Sequence, residues 1–237
     1  MKIACWSGPR NISTALMRAW SSRSDTFVSD EPFYGYYLKE TNLNHPMKEE
    51  IIDTCLTDYT QIIKSLNKVV PINKKIWYQK HMAHHILDLE DLSWIKNFNN
   101  CILIREPKYV IGSYIKKNNL KDVFELGYPQ QLAVIEFLKK NKLPFYIISS
   151  EDIVRNPEKE LTAWCDYLKI SFDKKMLSWK KGPHKNDGIW GKHWYDNINN
   201  SETFFKKKEF LSEDYKQFKS IYIESLNIYR KIYKMKS

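Results

Sequence analysis

Five short runs rich in β-branched and aromatic residues, at 3–7, 26–29, 76–79, 101–105 and 145–149, recur along the chain with helix-period segments between them. That alternation limits the fold more than any other feature. Apolar residues at three- and four-residue steps place helices at 13–23, 48–66, 108–117, 129–140 and 158–168. Strand and helix in turn means β-α-β units, because parallel strands need a crossover and a helix is the usual one. The expected fold is therefore α/β, with a central parallel sheet of about five strands flanked by helices on both faces. A chain of 237 residues can bury one sizeable core, and with no repeat or linker a single domain over 1–237 is expected. Ligands of open parallel sheets lie beyond the carboxyl ends of the strands. Here that points just past Trp6, Ser29, Gln79 and Arg105.

Composition narrows the class. With 43% hydrophobic and 14% aromatic residues but only 7 Gly and 9 Pro, collagen-like, low-complexity and disordered chains are excluded. Cys5, Cys55, Cys101 and Cys165 stand far apart with no C-x-x-C pair, the usage of a reducing compartment without a disulfide framework or zinc site. No run approaches the roughly 18 apolar residues of a membrane span, and the first eight residues are too short for a signal peptide. A soluble, cytoplasmic protein is expected. The net charge of +10 invites a nucleic-acid reading, but nine Lys or Arg against four acids fall within 206–237, half of the excess. That segment also carries Leu211, Tyr215, Phe218, Tyr222, Leu226, Tyr229 and Tyr233 at helical spacing, so its basic side reads as the solvated face of a closing helix and nucleic acid is not the expected partner.

The first candidate site is Ser7-Gly8-Pro9-Arg10-Asn11-Ile12-Ser13-Thr14, a small-residue turn running from strand into helix. Free amides at a helix start, two hydroxyls and a guanidinium make a site for phosphate or sulfate. Set against G-x-x-x-x-G-K-[ST], the second Gly is Ser13, the Lys is Thr14 and the magnesium-binding hydroxyl is Ala15, which disfavours hydrolysis of ATP on Mg²⁺. A second pair, Arg105 at a strand end and Ser113 eight residues on, offers two donors for another phosphate.

Together these residues resemble the sulfotransferases that use 3′-phosphoadenosine-5′-phosphosulfate. Residues 9–14 are similar to that family's 5′-phosphosulfate loop, and Arg105 with Ser113 to its 3′-phosphate pair. Ser149-Ser150-Glu151-Asp152 followed by Asn156-Pro157 resembles the family's Glu-Asp and Asn-Pro segment, and Lys180-Lys181-Gly182 its basic closing loop. The resemblance implies a three-layer, P-loop NTPase-like fold. It also implies that Arg10, Asn11, Ile12, Ser13 and Thr14 hold the phosphosulfate while Arg105, Ser113, Lys181 and Gly182 hold the 3′-phosphate. Arg10 stands where the family usually has Lys, and Ala15 where many members place a Trp under the adenine.

Sulfuryl transfer needs cations for the bridging oxygen, a base for the acceptor hydroxyl and no metal. Arg10 and Lys80 are the candidate cations. The base is either Glu31, in Asp30-Glu31-Pro32, or His81, in Lys80-His81-Met82-Ala83-His84-His85. A His titrates near neutrality, whereas a Glu needs burial to raise its pKa. His81 and His85 are four apart, but the pair lacks the glutamate of H-E-x-x-H and a third ligand. Aromatic stretches at 33–37 and 190–195 suit the wall of a small-acceptor pocket. Acceptor choice belongs to loop shapes at 34–47 and 180–200. Oligomeric state is open, a homodimer included. A P-loop kinase and a phosphonucleotide-binding protein without turnover are the rival readings.

Overall fold

A computed structural model describes residues 1–87, 91–204 and 213–236. The strands β1 (Lys2–Ser7), β2 (Thr26–Asp30), β3 (Ile76–Met82), β4 (Asn99–Ile104) and β5 (Phe145–Ser149) form one parallel sheet in the order β2-β3-β1-β4-β5. Side chains alternate across it. On one face Ile3, Cys5, Tyr78, Cys101 and Leu103 pack under α1 (Ser13–Ser21) and α8 (Pro157–Tyr167). On the other, Ala4, Trp6, Trp77, Ile102 and Ile104 meet α4 (Tyr59–Leu66), α6 (Tyr128–Lys140) and α11 (Lys219–Tyr233). The expected three-layer α/β architecture is thus present. Strands buried on both sides read as continuous apolar runs, which is why the sequence showed them.

The connection after β1 leads to one edge of the sheet and that after β4 to the other. These two strands are neighbours, so a crevice opens beyond their carboxyl ends. Around it lie α2 (Tyr34–Thr41), α5 (Pro107–Tyr114), α7 (Ser150–Arg155), α9 (Gly191–Trp194) and α10 (Asp196–Asn199).

Several boundaries differ from expectation for local reasons. The segment 48–66 is two helices, α3 (Lys48–Thr54) and α4, because Cys55 is extended and Asp58 opens a new helix by accepting from the Gln61 amide at 2.7 Å. The stretch 180–200, expected to be loop, contains α9 and α10. At the chain's end the helix expected from about 206 is observed as α11 after a short 3₁₀ turn, and 206–212, with Leu211, fall outside the described residues. Tyr215, Phe218, Tyr222 and Tyr229 cover Val110, Ile111, Leu126 and Tyr128, so the apolar stripe is used in folding. Among the described residues no helix is long and apolar enough to cross a membrane. All four cysteines are free.

Trp164 fastens α8 to the sheet, edge-on to Trp20 at 5.0 Å and parallel to Tyr146 at 6.1 Å. Trp164→Ala is expected to lower the unfolding free energy in urea by about 3–5 kcal/mol. A loss under about 1 kcal/mol, the size of a surface change, would contradict this packing.

Candidate active site

The loop between β1 and α1 is shaped by backbone constraints. Gly8 lies so close to the Leu126 carbonyl that a Cβ there would sit 2.2 Å from the oxygen. Arg10 and Ile12 adopt left-handed φ of 62° and 57°, a curl that turns successive amides toward a common side. Its carbonyls are braced from outside, with Arg105 Nη1 donating to Arg10 O at 2.6 Å and Ser150 Oγ to Asn11 O at 2.9 Å. The Asn11 side chain, buried, donates to Leu103 O at 3.3 Å. Among the described residues, the amides from Asn11 to Ala15 find no backbone acceptor. Ile12, the residue before α1, supplies no side-chain cap. An anion at this helix start would meet exposed N–H groups and the positive end of the dipole.

Arg10, Arg105 and Ser113 converge at one side of the loop. The Arg10 side chain reaches across α5, its Nε donating to Ser113 Oγ at 2.9 Å, while Tyr128 OH steadies Arg105 O at 2.7 Å.

Lys80 occupies the other side. Its ammonium donates toward Thr14 Oγ1 at 3.0 Å, Asp30 Oδ1 at 2.9 Å, Glu31 Oε1 at 2.7 Å and Tyr195 OH at 2.7 Å. Burial alone would pull this ammonium down, but Asp30 and Glu31 outweigh it and hold Lys80 well above its ordinary pKa. Burial raises Glu31, and Asp30 adds to the rise against the pull of Lys80. Asp30 is further tied by Tyr195 OH at 2.7 Å and the Gly188 amide at 3.0 Å. Arg18, buried in α1, pairs with Asp187 through two bonds of 2.5 and 2.6 Å. The segment 187–195 is in this way clamped over Lys80.

Both groups line one cleft of about 1090 Å³, which holds Arg10, Thr14, Glu31, Lys80, Arg105 and Ser113 together. Asn11, Ile12 and Ser13 also line it. His81 does not. The alternation that delivers Lys80 to the cleft turns His81 to the opposite face, where it stacks on Trp6 at 4.6 Å and burial drops its pKa to about 3. The geometry therefore separates the two base candidates and leaves Glu31 at the site. Lys181 and Gly182 also lie away from the cleft lining. Lys181 is exposed beside Glu202, and Gly182 N donates to Asn199 O at 2.8 Å.

Histidines do reach the cleft, as His84 and His85 in the turn after β3. His85 is sandwiched between Tyr34 and Tyr37 at 4.7 Å each. Burial takes His84 to about 3 and His85 well below its usual value, so neither is charged near neutrality. Asp30, Tyr195, Arg18 and Asp187 were not singled out from sequence. Asp30 had a signal, its place before Glu31 at a strand end, and Tyr195 lay in an aromatic stretch read as pocket wall. The Arg18–Asp187 pair, 169 residues apart, had none.

A family model described as Sulfotransferase domain matches residues 1–220. Two Arabidopsis thaliana proteins, Branched-chain-amino-acid aminotransferase-like proteins 2 and 1, are 33% and 31% identical to this chain. Each match takes in 88% of this chain and 37% of the relative, so the chain spans little more than a third of their length. Solved structures with the same fold include a sulfotransferase from Alicyclobacillus acidocaldarius, with a TM-score of 0.55, 10% identity and coverage of 94% of this chain and 93% of that one. The sulfotransferase domain of the Synechococcus PCC 7002 olefin synthase gives 0.52, 16% and 94% of both chains.

Removing one partner of a buried ion pair strands the other. Asp187→Ala is expected to cost about 3–5 kcal/mol in urea unfolding and to speed amide hydrogen exchange across 187–195. Exchange unchanged in that segment would show that Arg18 does not hold it.

Proposed function

Because the chain belongs to the sulfotransferase domain family, we propose that it transfers a sulfuryl group from 3′-phosphoadenosine-5′-phosphosulfate to a hydroxyl or amine of a small acceptor. One observation carries the reading: the Lys80 ammonium bridges Thr14 of the anion loop and Glu31, at 3.0 and 2.7 Å. A cation and a carboxylate are thereby held side by side at the rim of an anion site.

The donor supplies an activated sulfuryl group and a bisphosphate leaving group. Amides from Asn11 to Ala15, with the Ser13 and Thr14 hydroxyls, would hold the 5′ end; Arg105, Ser113 and Arg10 would hold the 3′-phosphate. In this proposal Glu31 takes the proton as the acceptor oxygen bonds to sulfur. The bridging S–O bond breaks toward the bisphosphate, whose developing charge meets Lys80. A raised pKa makes Glu31 a stronger base than an exposed carboxylate.

The site also argues against carrying over the aminotransferase in the plant relatives' names. The chain spans only 37% of those relatives, and its cleft lysine is ion-paired with Asp30 and Glu31, whereas a Schiff-base lysine must be free to lose its proton.

Titration calorimetry with 3′,5′-adenosine bisphosphate is expected to show binding that Arg10→Ala and Arg105→Ala each weaken about tenfold or more, equal to about 1.4 kcal/mol. Magnesium ATP should bind poorly beside it. Clear ATP binding without bisphosphate binding would overturn the proposal in favour of a kinase.

Glu31→Gln is expected to leave bisphosphate affinity within about twofold while lowering turnover about 10²- to 10⁴-fold. Wild-type kcat/KM should rise with pH through a pKa above the ordinary glutamate value and then level off, since only the carboxylate accepts a proton. A glutamine variant of full activity would remove Glu31 from the chemistry.

A further inference from the structure

An ammonium has three protons, yet four oxygens stand within 3.0 Å of Lys80 Nζ. Lys80 therefore cannot satisfy all four at once. Two of them, Asp30 and Glu31, are carboxylates competing for one cation in a buried place. The closest route for Asp30 to win would be to chelate Lys80 with both of its oxygens. Tyr195 blocks that route: its hydroxyl donates to Asp30 Oδ2 at 2.7 Å and accepts from Trp190 Nε1 at 3.2 Å and from Lys80 at 2.7 Å. One donor and two acceptors are thus all used. The Gly188 amide fills the remaining site on Oδ2 at 3.0 Å.

We infer that Tyr195 is a positioning residue, whose hydroxyl occupies the second oxygen of Asp30 and so keeps the Lys80 ammonium turned toward Thr14 and Glu31. This deepens the sulfotransferase reading and rests on it for what Lys80 then does. Without the hydroxyl, Asp30 Oδ2 is bared and takes the proton Lys80 gave to Tyr195, so Asp30 grips the ammonium through both oxygens, the neutral Thr14 hydroxyl is the weakest acceptor left, and Glu31 loses part of its counter-charge. Among the described residues, the charged and titratable groups facing Glu31 are Asp30 on β2, Lys80 on β3, Tyr34 on α2 and Tyr195 after α9. Lys80 lowers the proton affinity of Glu31 by its charge and Tyr195 lowers it by a hydrogen bond, so losing the hydroxyl raises the midpoint by either route and the Asp30→Asn background tells the two apart.

The test reads Glu31 directly. Carboxyl ¹³C resonances of the full chain are titrated in wild type and Tyr195→Phe, with the Glu31 signal assigned by its loss in Glu31→Gln. The phenylalanine keeps a ring in the buried cluster that also holds Tyr34 and Trp190. The Glu31 midpoint is expected to rise by about one pH unit, a tenfold gain in proton affinity. A midpoint unchanged or lowered, in a folded variant, overturns the inference.

Asp30→Asn guards against misfolding of the first variant and tests the same competition from the other side. With one competitor neutral, Lys80 goes to Glu31 and the midpoint falls; adding Tyr195→Phe in that background should change nothing further. A full, additive shift there overturns the inference. Bisphosphate calorimetry on the wild type separates the two questions: no binding sinks the sulfotransferase reading alone, while the Glu31 titration decides the role of Tyr195.

Discussion

One ammonium held between two carboxylates governs the arrangement of this protein's cleft. Lys80 comes from β3, Asp30 and Glu31 from the end of β2, Thr14 from α1 and Tyr195 from the far segment after α9. Four pieces of chain meet at a single nitrogen. Burying such charges is costly unless each is paired and bonded, so the group must assemble completely or not at all. The Arg18–Asp187 pair extends the same demand to the underside of α1. Polar bonds thus hold the 187–195 segment over the sheet together with the packing of its Trp190 and Tyr195 in one cluster with Tyr34, Tyr37 and Leu38.

The anion loop obeys a different logic. In the proposed reading its ligand meets backbone amides, while the side chains around it brace the loop from behind. Arg105 and Ser150 take the carbonyls of Arg10 and Asn11, Asn11 reaches inward to β4, and the glycine turn leans on Leu126. A loop held from behind in this way keeps its donors pointed outward before any ligand arrives. That is the preorganisation electrostatic stabilisation requires. Lys80, by contrast, is poised among alternatives. Rigid donors on one side of the cleft face an adjustable cation on the other.

The sheet was legible because its strands are buried on both faces, so burial wrote itself as apolar runs such as Cys101 to Ile104. The positions of the loop, Arg105 and Glu31 were legible because each sits at a strand end or helix start, where spacing along the chain predicts position in space, and that of Ser113 because it lies in the second turn of the helix that follows Arg105. His81 misled for the same reason in reverse. Proximity in sequence suggested a neighbour of Lys80, but adjacent strand residues point to opposite faces, and the ring went into the core beside Trp6. Tyr195 and Asp187 reach the site through an irregular segment whose path no periodicity encodes. The break at 55–58 hung on one extended cysteine and one aspartate cap, too local a signal to separate from a continuous helix pattern.

The contact between Gly8 and the Leu126–Gly127 turn joins positions more than a hundred residues apart, with no room for a side chain on Gly8 and little on Gly127. A Cβ on Gly8 would strike the Leu126 carbonyl, and one on Gly127, at φ +78°, would come within 3.2 Å of the Gly8 Cα. Gly8 is thus demanded by the Leu126 carbonyl and Gly127 by its left-handed backbone, and the two segments pack as one unit. Recombination between divergent members of this fold can exchange surface loops freely, but a crossover falling between these segments must bring together parents that both keep the bare backbone. In laboratory shuffling, chimeras with breakpoints between residues 9 and 126 are where that constraint becomes visible.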